Sequence, residues 1–162
     1  MKNLNLDVGC GDNPHGDVNV DYRTYQNIEL DQVHTKYVDI KNIPNFIRAD
    51  ALHLPFPNKS FVKTYCYHVI EHVSNPFKLI EELIRVTTQT LEIRCPHRFS
   101  KHAKMPYHRH YFTRSWFDRV FIGYKVRVKV TYWSPLREMF GFIRLPHEIR
   151  IRVELHKVTA KK

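Results

Sequence analysis

Cysteine is scarce and scattered: Cys10, Cys66 and Cys95 are the only three among 162 residues. So few, with no CxxC pair, build neither a disulfide framework nor a thiolate zinc site. Each ends an apolar segment, where a buried free thiol is common, and a reducing, cytoplasmic setting is expected. Long apolar runs are missing as well; none approaches the ~18–20 residues that cross a bilayer. No membrane association is therefore expected, and Met1-Lys2-Asn3-Leu4 leads straight into the first strand, as in a chain without a leader. Repeats and low-complexity linkers are absent, and the length suits a single domain over residues 1–162. Acidic residues run out toward the C-terminus. Residues 94–162 hold 17 Lys/Arg against 4 Asp/Glu, whereas residues 1–93 hold 9 against 12. This asymmetry points to a neutral or cationic ligand for the N-terminal half and an anionic partner for the C-terminal half.

Strands and helices alternate along the chain. Strands are expected at about Leu4–Val8, Val18–Asp21, Phe46–Asp50, Val62–Tyr67 and Leu91–Cys95. A poorly periodic stretch, Tyr22 to Asn45, has room for a short strand or a helical turn. The clearest helix runs from Asn75 to Val86: Asn75 is an N-cap, Pro76 fits the first helical position, and Phe77, Leu79, Ile80, Leu83, Ile84 and Val86 form an apolar stripe. A second helix is expected near Thr113–Phe121. Two long strands, about Lys125–Trp133 and Glu148–Val158, close the chain as a hairpin. The whole reads as an α/β sheet with an antiparallel final strand. Its strands alternate apolar and polar residues, as in Val126, Val128 and Val130 against Lys125, Arg127 and Lys129. Parallel strands covered on both faces read instead as continuous apolar runs. One face of the sheet is therefore expected to lack most of its helical layer, leaving it polar and basic, or covered by a second copy or a partner protein.

Leu6-Asp7-Val8-Gly9-Cys10-Gly11 carries an apolar strand into two glycines, and Asn19-Val20-Asp21-Tyr22 ends the next strand in a carboxylate. Glycines there let backbone groups approach a ligand, and the carboxylate can accept from two ribose hydroxyls. The spacing is short. Asp12-Asn13-Pro14-His15-Gly16-Asp17 fills the gap with turn formers and no apolar period, so the first crossover helix is missing or a single turn. A β-hairpin with a polar loop is the alternative for this stretch.

With these elements placed, residues 4 to 120 resemble the class I S-adenosylmethionine-dependent methyltransferases, in particular the small type 11 group. The resemblance rests on the glycine loop with Asn13–Asp21, on Ala49-Asp50-Ala51-Leu52-His53-Leu54-Pro55-Phe56, on Ser60-Phe61 through Tyr67-His68-Val69-Ile70-Glu71-His72-Val73, and on Glu82-Leu83-Ile84-Arg85-Val86. It implies a Rossmann-like sheet with an antiparallel C-terminal hairpin, and S-adenosylmethionine as cofactor. By position, Asp7 would help fix the methionine amino group, and Gly9, Cys10 and Gly11 would offer backbone contacts. Asp21 would accept the ribose hydroxyls with Tyr22 alongside, Asp50 the adenine amine, and the Ala51 amide would reach a ring nitrogen. Tyr67 and His68 would line the floor near the transferring methyl. Two departures stand out: the first helix is lost, and Thr87-Thr88-Gln89-Thr90 replaces the usual glycine-rich turn before strand five.

His68-Val69-Ile70-Glu71-His72 also fits H-x-x-E-H, the pattern of inverted zinc peptidases, with Glu81 or Glu82 available as third ligand if the segment were helical. The same letters are ordinary in the methyltransferase segment, and no metal is expected. The loop from Pro96 to Phe112 interleaves Arg, Lys and His with Tyr and Phe, a mix suited to phosphate contact and base stacking. His97, Arg98, Lys101, Tyr107 and Arg109 are its candidate acceptor-binding residues, and His68, His97 and His108 the candidate bases. The acceptor is expected to be anionic, RNA among the choices, or a small molecule. The non-enzymatic alternative is a nucleic-acid-binding module with a vestigial cofactor pocket.

Overall fold

The computed structural model describes residues 3–22, 40–133 and 145–157. Its centre is a seven-stranded sheet of order β3-β2-β1-β4-β5-β7-β6. The strands are β1 (Asn5–Val8), β2 (Val18–Asp21), β3 (Phe46–Arg48), β4 (Phe61–Tyr67), β5 (Thr87–Pro96), β6 (Tyr124–Trp133) and β7 (Leu145–Lys157). Strands β1 to β5 pair in parallel, and β7 lies antiparallel between β5 and β6. Among the described residues two helices join them, α1 (Pro76–Val86) and α2 (Arg114–Val120). Among the described residues no helix is long and apolar enough to cross a membrane.

The strand register sorts side chains into two unlike faces, because successive residues of a strand point to opposite sides. Leu6, Thr64, Leu91, Val153 and Val126 neighbour one another across the sheet, and Val8, Cys66, Ile93, Ile151 and Val128 form the next row. Leu79, Leu83 and Val86 of α1 and Phe117 of α2, with Phe121 at its end, close over this face and are buried. Each such apolar side chain contributes roughly 1.5–3 kcal/mol by leaving water. Burial also pushes the Cys66 and Cys95 thiols well above their ordinary range, so they sit there as neutral free thiols.

The opposite face carries a different set. Asp7, Tyr65, Glu92, Arg152 and Arg127 make one row, and Tyr67, Arg94, Arg150 and Lys129 the next. Among the described residues neither helix covers it. The alternation seen in the sequence thus marks a polar, basic and open face, as expected.

Strands β1 and β2 are parallel, not a hairpin, and residues 9–17 join them without a helix. Parallel strands usually need a crossover of a dozen residues or more; here polar side chains do its work. Gly9 and Cys10 N–H groups both donate to the Val20 carbonyl, at 2.7 and 3.1 Å. The His15 N–H donates to Asp7 Oδ2 at 2.9 Å. Asp17 pairs with Asn5 twice, backbone to backbone at 2.9 Å and through its carboxylate at 2.8 Å. The buried Asn19 side chain exchanges two bonds with Gly16 and reaches the Pro44 carbonyl at 2.7 Å. Gly16 runs so close to β1 that a Cβ there would meet Asp7 N and Val18 O, each at 2.6 Å.

Helix α1 begins as its sequence dictates: Asn75 Oδ1 accepts the Lys78 N–H at 3.1 Å and Pro76 occupies the first turn. Its end differs from expectation. Thr87 leaves the helix directly into β5, so Thr87–Thr90 are strand rather than a turn. The Thr87 hydroxyl bonds the Leu83 carbonyl and the Thr64 hydroxyl, each at 2.6 Å, which satisfies the helix end from inside the core. Glu82 and Arg85 pin the segment after β3. Glu82 Oε2 accepts the Leu54 N–H, and Arg85 donates to Glu82 and to the Leu54 and Phe56 carbonyls. The loop after β5 contains a 3-10 turn, Lys101–Lys104, that its polar sequence hid. The element sought between Tyr22 and Asn45 lies mostly outside the described residues; a 3-10 turn at Ile40–Asn42 is inside them.

Two outcomes check this packing. Glu82→Ala is expected to cost about 2–3 kcal/mol in urea unfolding, because it removes the carboxylate partner of Arg85 and leaves the buried Leu54 N–H without an acceptor. Arg85 holds the Glu82 carboxyl below its usual 4.5, so the stabilisation is full above that pH and lost as pH falls below it. The variant should therefore lose its deficit against wild type in acid; a deficit independent of pH contradicts the account. Gly16→Ala is expected to destabilise by about 1–3 kcal/mol through overpacking against backbone, and an unchanged melting curve contradicts that.

Candidate active site

The carboxyl ends of β1, β2 and β3 bring together most of the residues expected to hold a cofactor. Gly9 and Gly11 adopt left-handed φ of 76° and 53°, a turn that favours glycine. The Gly11 N–H donates to Asp21 Oδ2 at 3.0 Å, so the glycine turn and the acid at the end of β2 form one unit. Asp21 is nearly buried, and Tyr22 beside it is exposed with the Arg48 guanidinium 5.5 Å from its ring centre. Asp50, after β3, accepts the Leu52 N–H at 2.9 Å and thereby shapes the turn containing Ala51. Two carboxylates and backbone donors at a turn free of side chains suit a neutral nucleoside with hydroxyl and amine groups.

Asp7 and Tyr67 are placed differently from this group. Asp7 lies beneath the loop on the open side of the sheet, held by the His15 N–H, with the His15 ring 3.5 Å away. Burial raises its pKa, against the lowering effect of His15. The Tyr67 side chain also points to the open face, where its hydroxyl donates to Glu92 Oε2 at 3.0 Å and Arg94 stacks 4.0 Å from its ring centre. Burial and the Glu92 carboxylate raise its pKa strongly.

Val69 packs on Gly9, where any Cβ would collide with it, so the segment after β4 sits against the glycine turn. His68 precedes it in a left-handed conformation, φ 57°. That conformation is uncommon outside glycine and is concentrated at functional sites. It aims the imidazole between two carboxylates, with Nε2 3.2 Å from Glu148 Oε1 and Nδ1 3.4 Å from Glu71 Oε1. These partners raise the His68 pKa to about 9, and His68 with Arg150 lowers that of Glu148 to about 2. At neutral pH His68 is thus a held cation rather than a free base.

A cavity of about 310 Å³ opens beside it, lined by His68, Glu71, His72, His108, His147 and Glu148 among others. The segment from Val69 to His72 is a turn, closed by the His72 N–H on the Val69 carbonyl, and α1 starts only at Pro76. The helical peptidase arrangement of H-x-x-E-H is therefore not formed: His68 faces Glu148, and His72 faces Tyr107 and His108. Of the loop candidates, Tyr107 and His108 line the cavity. His97 does not; its Nδ1 accepts the Phe99 N–H at 3.3 Å, and burial lowers its pKa. Arg98, Lys101 and Arg109 are exposed around the loop. Glu148 and His147 were missed by sequence reasoning because they come from β7, distant in the chain. Glu71 and His72 were visible only as letters of the peptidase pattern and of the methyltransferase segment, with no role of their own.

A methyltransferase-domain family model, type 11, matches residues 6–90. A search of curated protein sequences found no match. Among solved structures, an S-adenosylmethionine-dependent methyltransferase from Thermotoga maritima superposes with a TM-score of 0.68 at 14% identity, over 96% of this chain and 84% of that one. The Haloferax volcanii methyltransferase in complex with the Trm112 activator gives 0.62 at 12%, over 96% and 84%. A Haemonchus contortus phosphoethanolamine N-methyltransferase, solved with phosphomonomethylethanolamine and S-adenosylhomocysteine, gives 0.63 at 12%, over 93% of this chain and 48% of that one. The strand order, the glycine loop with its acid and the family match agree: this chain is an S-adenosylmethionine-dependent methyltransferase of the type 11 family, with the class I Rossmann-like fold.

Proposed function

We propose that this chain, acting as one domain, methylates RNA, with the open face of the sheet as the track for its backbone. The observation that carries the reading is that an ion pair, Arg150 with Glu148, joins this basic face to the wall of the cavity. Lys63, Arg94, Lys125, Arg127, Lys129, Arg150 and Arg152 face Glu92, Glu148 and Glu154 across it. Lys63 and Arg152 pair with Glu92, Lys125 with Glu154 and Arg150 with Glu148. Arg127 and Lys129 have no carboxylate partner among the described residues and are exposed. A shallow cleft of about 180 Å³ runs between Tyr67, Arg94, Arg127, Lys129 and Arg150, and Glu148 links it to the cavity through His68. Exposed cations interleaved with aromatic rings favour a phosphate backbone carrying stackable bases.

When bound, S-adenosylmethionine supplies an electrophilic methyl group on a sulfonium. The glycine turn, Asp21, Asp50 and Ala51 would hold its nucleoside and methionine ends, with Tyr22 beside the ribose. His68 would close the floor, and Tyr107 with the basic loop around Arg98, Lys101 and Arg109 would place the acceptor. Positioning of this kind supplies much of the acceleration in an in-line transfer. The cavity is at the small end of the roughly 300–1,000 Å³ of ligand pockets, suited to one extruded nucleotide rather than a large ligand. The phosphomonomethylethanolamine bound by the Haemonchus contortus relative favours a second reading, a small-molecule acceptor.

The deciding experiment is transfer of labelled methyl to the RNA and small-molecule fractions of a cell extract. Label in RNA is expected; label in small molecules alone overturns the proposal. RNA affinity should fall steeply with salt, and Arg127→Ala with Lys129→Ala should reduce the slope by about 1 to 2, since each lost phosphate contact removes about 0.7 for single strands. A flat salt dependence would instead assign the face to a second copy or a protein partner. Asp21→Ala should lower S-adenosylhomocysteine affinity by at least an order of magnitude while RNA affinity persists; RNA binding without any methyl transfer by wild type would point to a vestigial pocket.

A further inference from the structure

We infer that Glu71, His72 and His108 form a binding site for a divalent transition-metal cation in the wall of the acceptor cavity. One potential ligand atom from each lies within 4.8 Å of the other two. A carboxylate with two imidazoles is a donor set for zinc, manganese, iron or cobalt rather than for magnesium or calcium, which prefer all-oxygen shells.

The buried carboxylate is the independent sign. Glu71 is 1% exposed, yet neither of its side-chain oxygens accepts a hydrogen bond. The His68 ring pairs with Oε1 at 3.4 Å, without hydrogen-bond geometry, and shares its charge with Glu148 on its far side. Buried carboxylates are ordinarily hydrogen-bonded, paired or bound to metal. A cation between Glu71 and the two imidazoles would supply the direct contact to oxygen that His68, shared with Glu148, does not make.

The supporting bonds fit as well. His108 Nδ1 is 3.1 Å from the Ala103 carbonyl, which can only accept, so Nδ1 carries the proton and Nε2 is left to ligate. Metal-bound histidines are commonly oriented by such a bond. The Glu71 carbonyl accepts the Arg109 and His110 N–H groups at 2.8 and 3.3 Å, which fixes the loop so that His108 arrives beside Glu71. Both ends of the cluster are thus held by backbone.

Three protein ligands leave coordination positions open toward the cavity. The role of that opening rests on the proposed RNA acceptor and takes the methylated atom to be a hydroxyl oxygen. A hydroxyl bound there would release its proton to solvent more readily. Its oxygen pair would then form the bond to the methyl carbon, while the pair of the breaking carbon–sulfur bond stays on sulfur.

The site is tested on the chain alone, by calorimetric titration of metal-free protein with Mn²⁺, Co²⁺ and Zn²⁺ in separate runs. One equivalent is expected for at least one of these ions, with affinity weakened at least about tenfold in Glu71→Gln and in His108→Gln. His102→Gln, which alters the same cavity outside the cluster, should bind as wild type does. Circular dichroism and S-adenosylhomocysteine affinity report whether each variant is folded, and the exposed position of the loop makes His108→Gln the safer of the two. No saturable binding at millimolar metal, or equal binding in both ligand variants, overturns the inference. The readout does not involve RNA, so failure of the RNA reading leaves this result standing on its own.

Discussion

Everything in this molecule that is unusual for its fold depends on how residues 9–17 return the chain from β1 to β2. In place of a helix, Asp7, Asp17 and Asn19 satisfy the loop's backbone groups with their own side chains, and Gly16 lets the strand and loop backbones touch. The helix removed would have covered one face of the sheet. Once it is gone, that face must be polar to be stable in water. The rows Asp7, Tyr65, Glu92, Arg152, Arg127 and Tyr67, Arg94, Arg150, Lys129 meet that demand. The same loop still presents the glycine turn to Asp21. A ligand site and a bare face are therefore two results of one economy.

Stability rests on the other face. There α1 is anchored at both ends and in the middle: by the Asn75 cap, by the Thr87 hydroxyl in the core, and by Glu82 and Arg85 gripping the turn after β3. That grip positions Asp50 and Ala51, so the helix motif and the cofactor side of the site are mechanically linked. Val69 against Gly9 links the other half, carrying His68, Glu71 and His72 to the edge of the glycine turn. The cavity beside His68 is then completed from far along the chain, by His108 in the loop after β5 and by His147 and Glu148 on β7.

Much of this was legible in the sequence where the signal is local. The period of Leu79, Ile80, Leu83 and Val86 marked α1, its Asn-Pro start marked the cap, and the strict alternation of β6 and β7 marked a half-covered sheet. The glycine loop and Asp21 marked the turn in which the Gly11 N–H meets the Asp21 carboxylate, and the shortness of the gap announced the lost helix. What could not be read was set by partners distant in sequence. Thr87–Thr90 join β5, where the Thr87 hydroxyl meets that of Thr64, a partner distant in sequence. His68 looked like a base near neutral pH, but Glu148, eighty residues on, holds it as a cation. Tyr67 was expected at the methyl-transfer floor, and the parity of β4 turns it to the open face. The H-x-x-E-H letters suggested a helix, but the chain bends at His68 and only later becomes helical at Pro76.

The central claim is that a loop, without the usual helix, builds a working cofactor site between the glycine turn, Asp21 and Asp50. Calorimetric titration of the folded chain with S-adenosylhomocysteine tests it most directly. The account predicts saturable binding of one equivalent; no heat with millimolar ligand and ordered protein would contradict it.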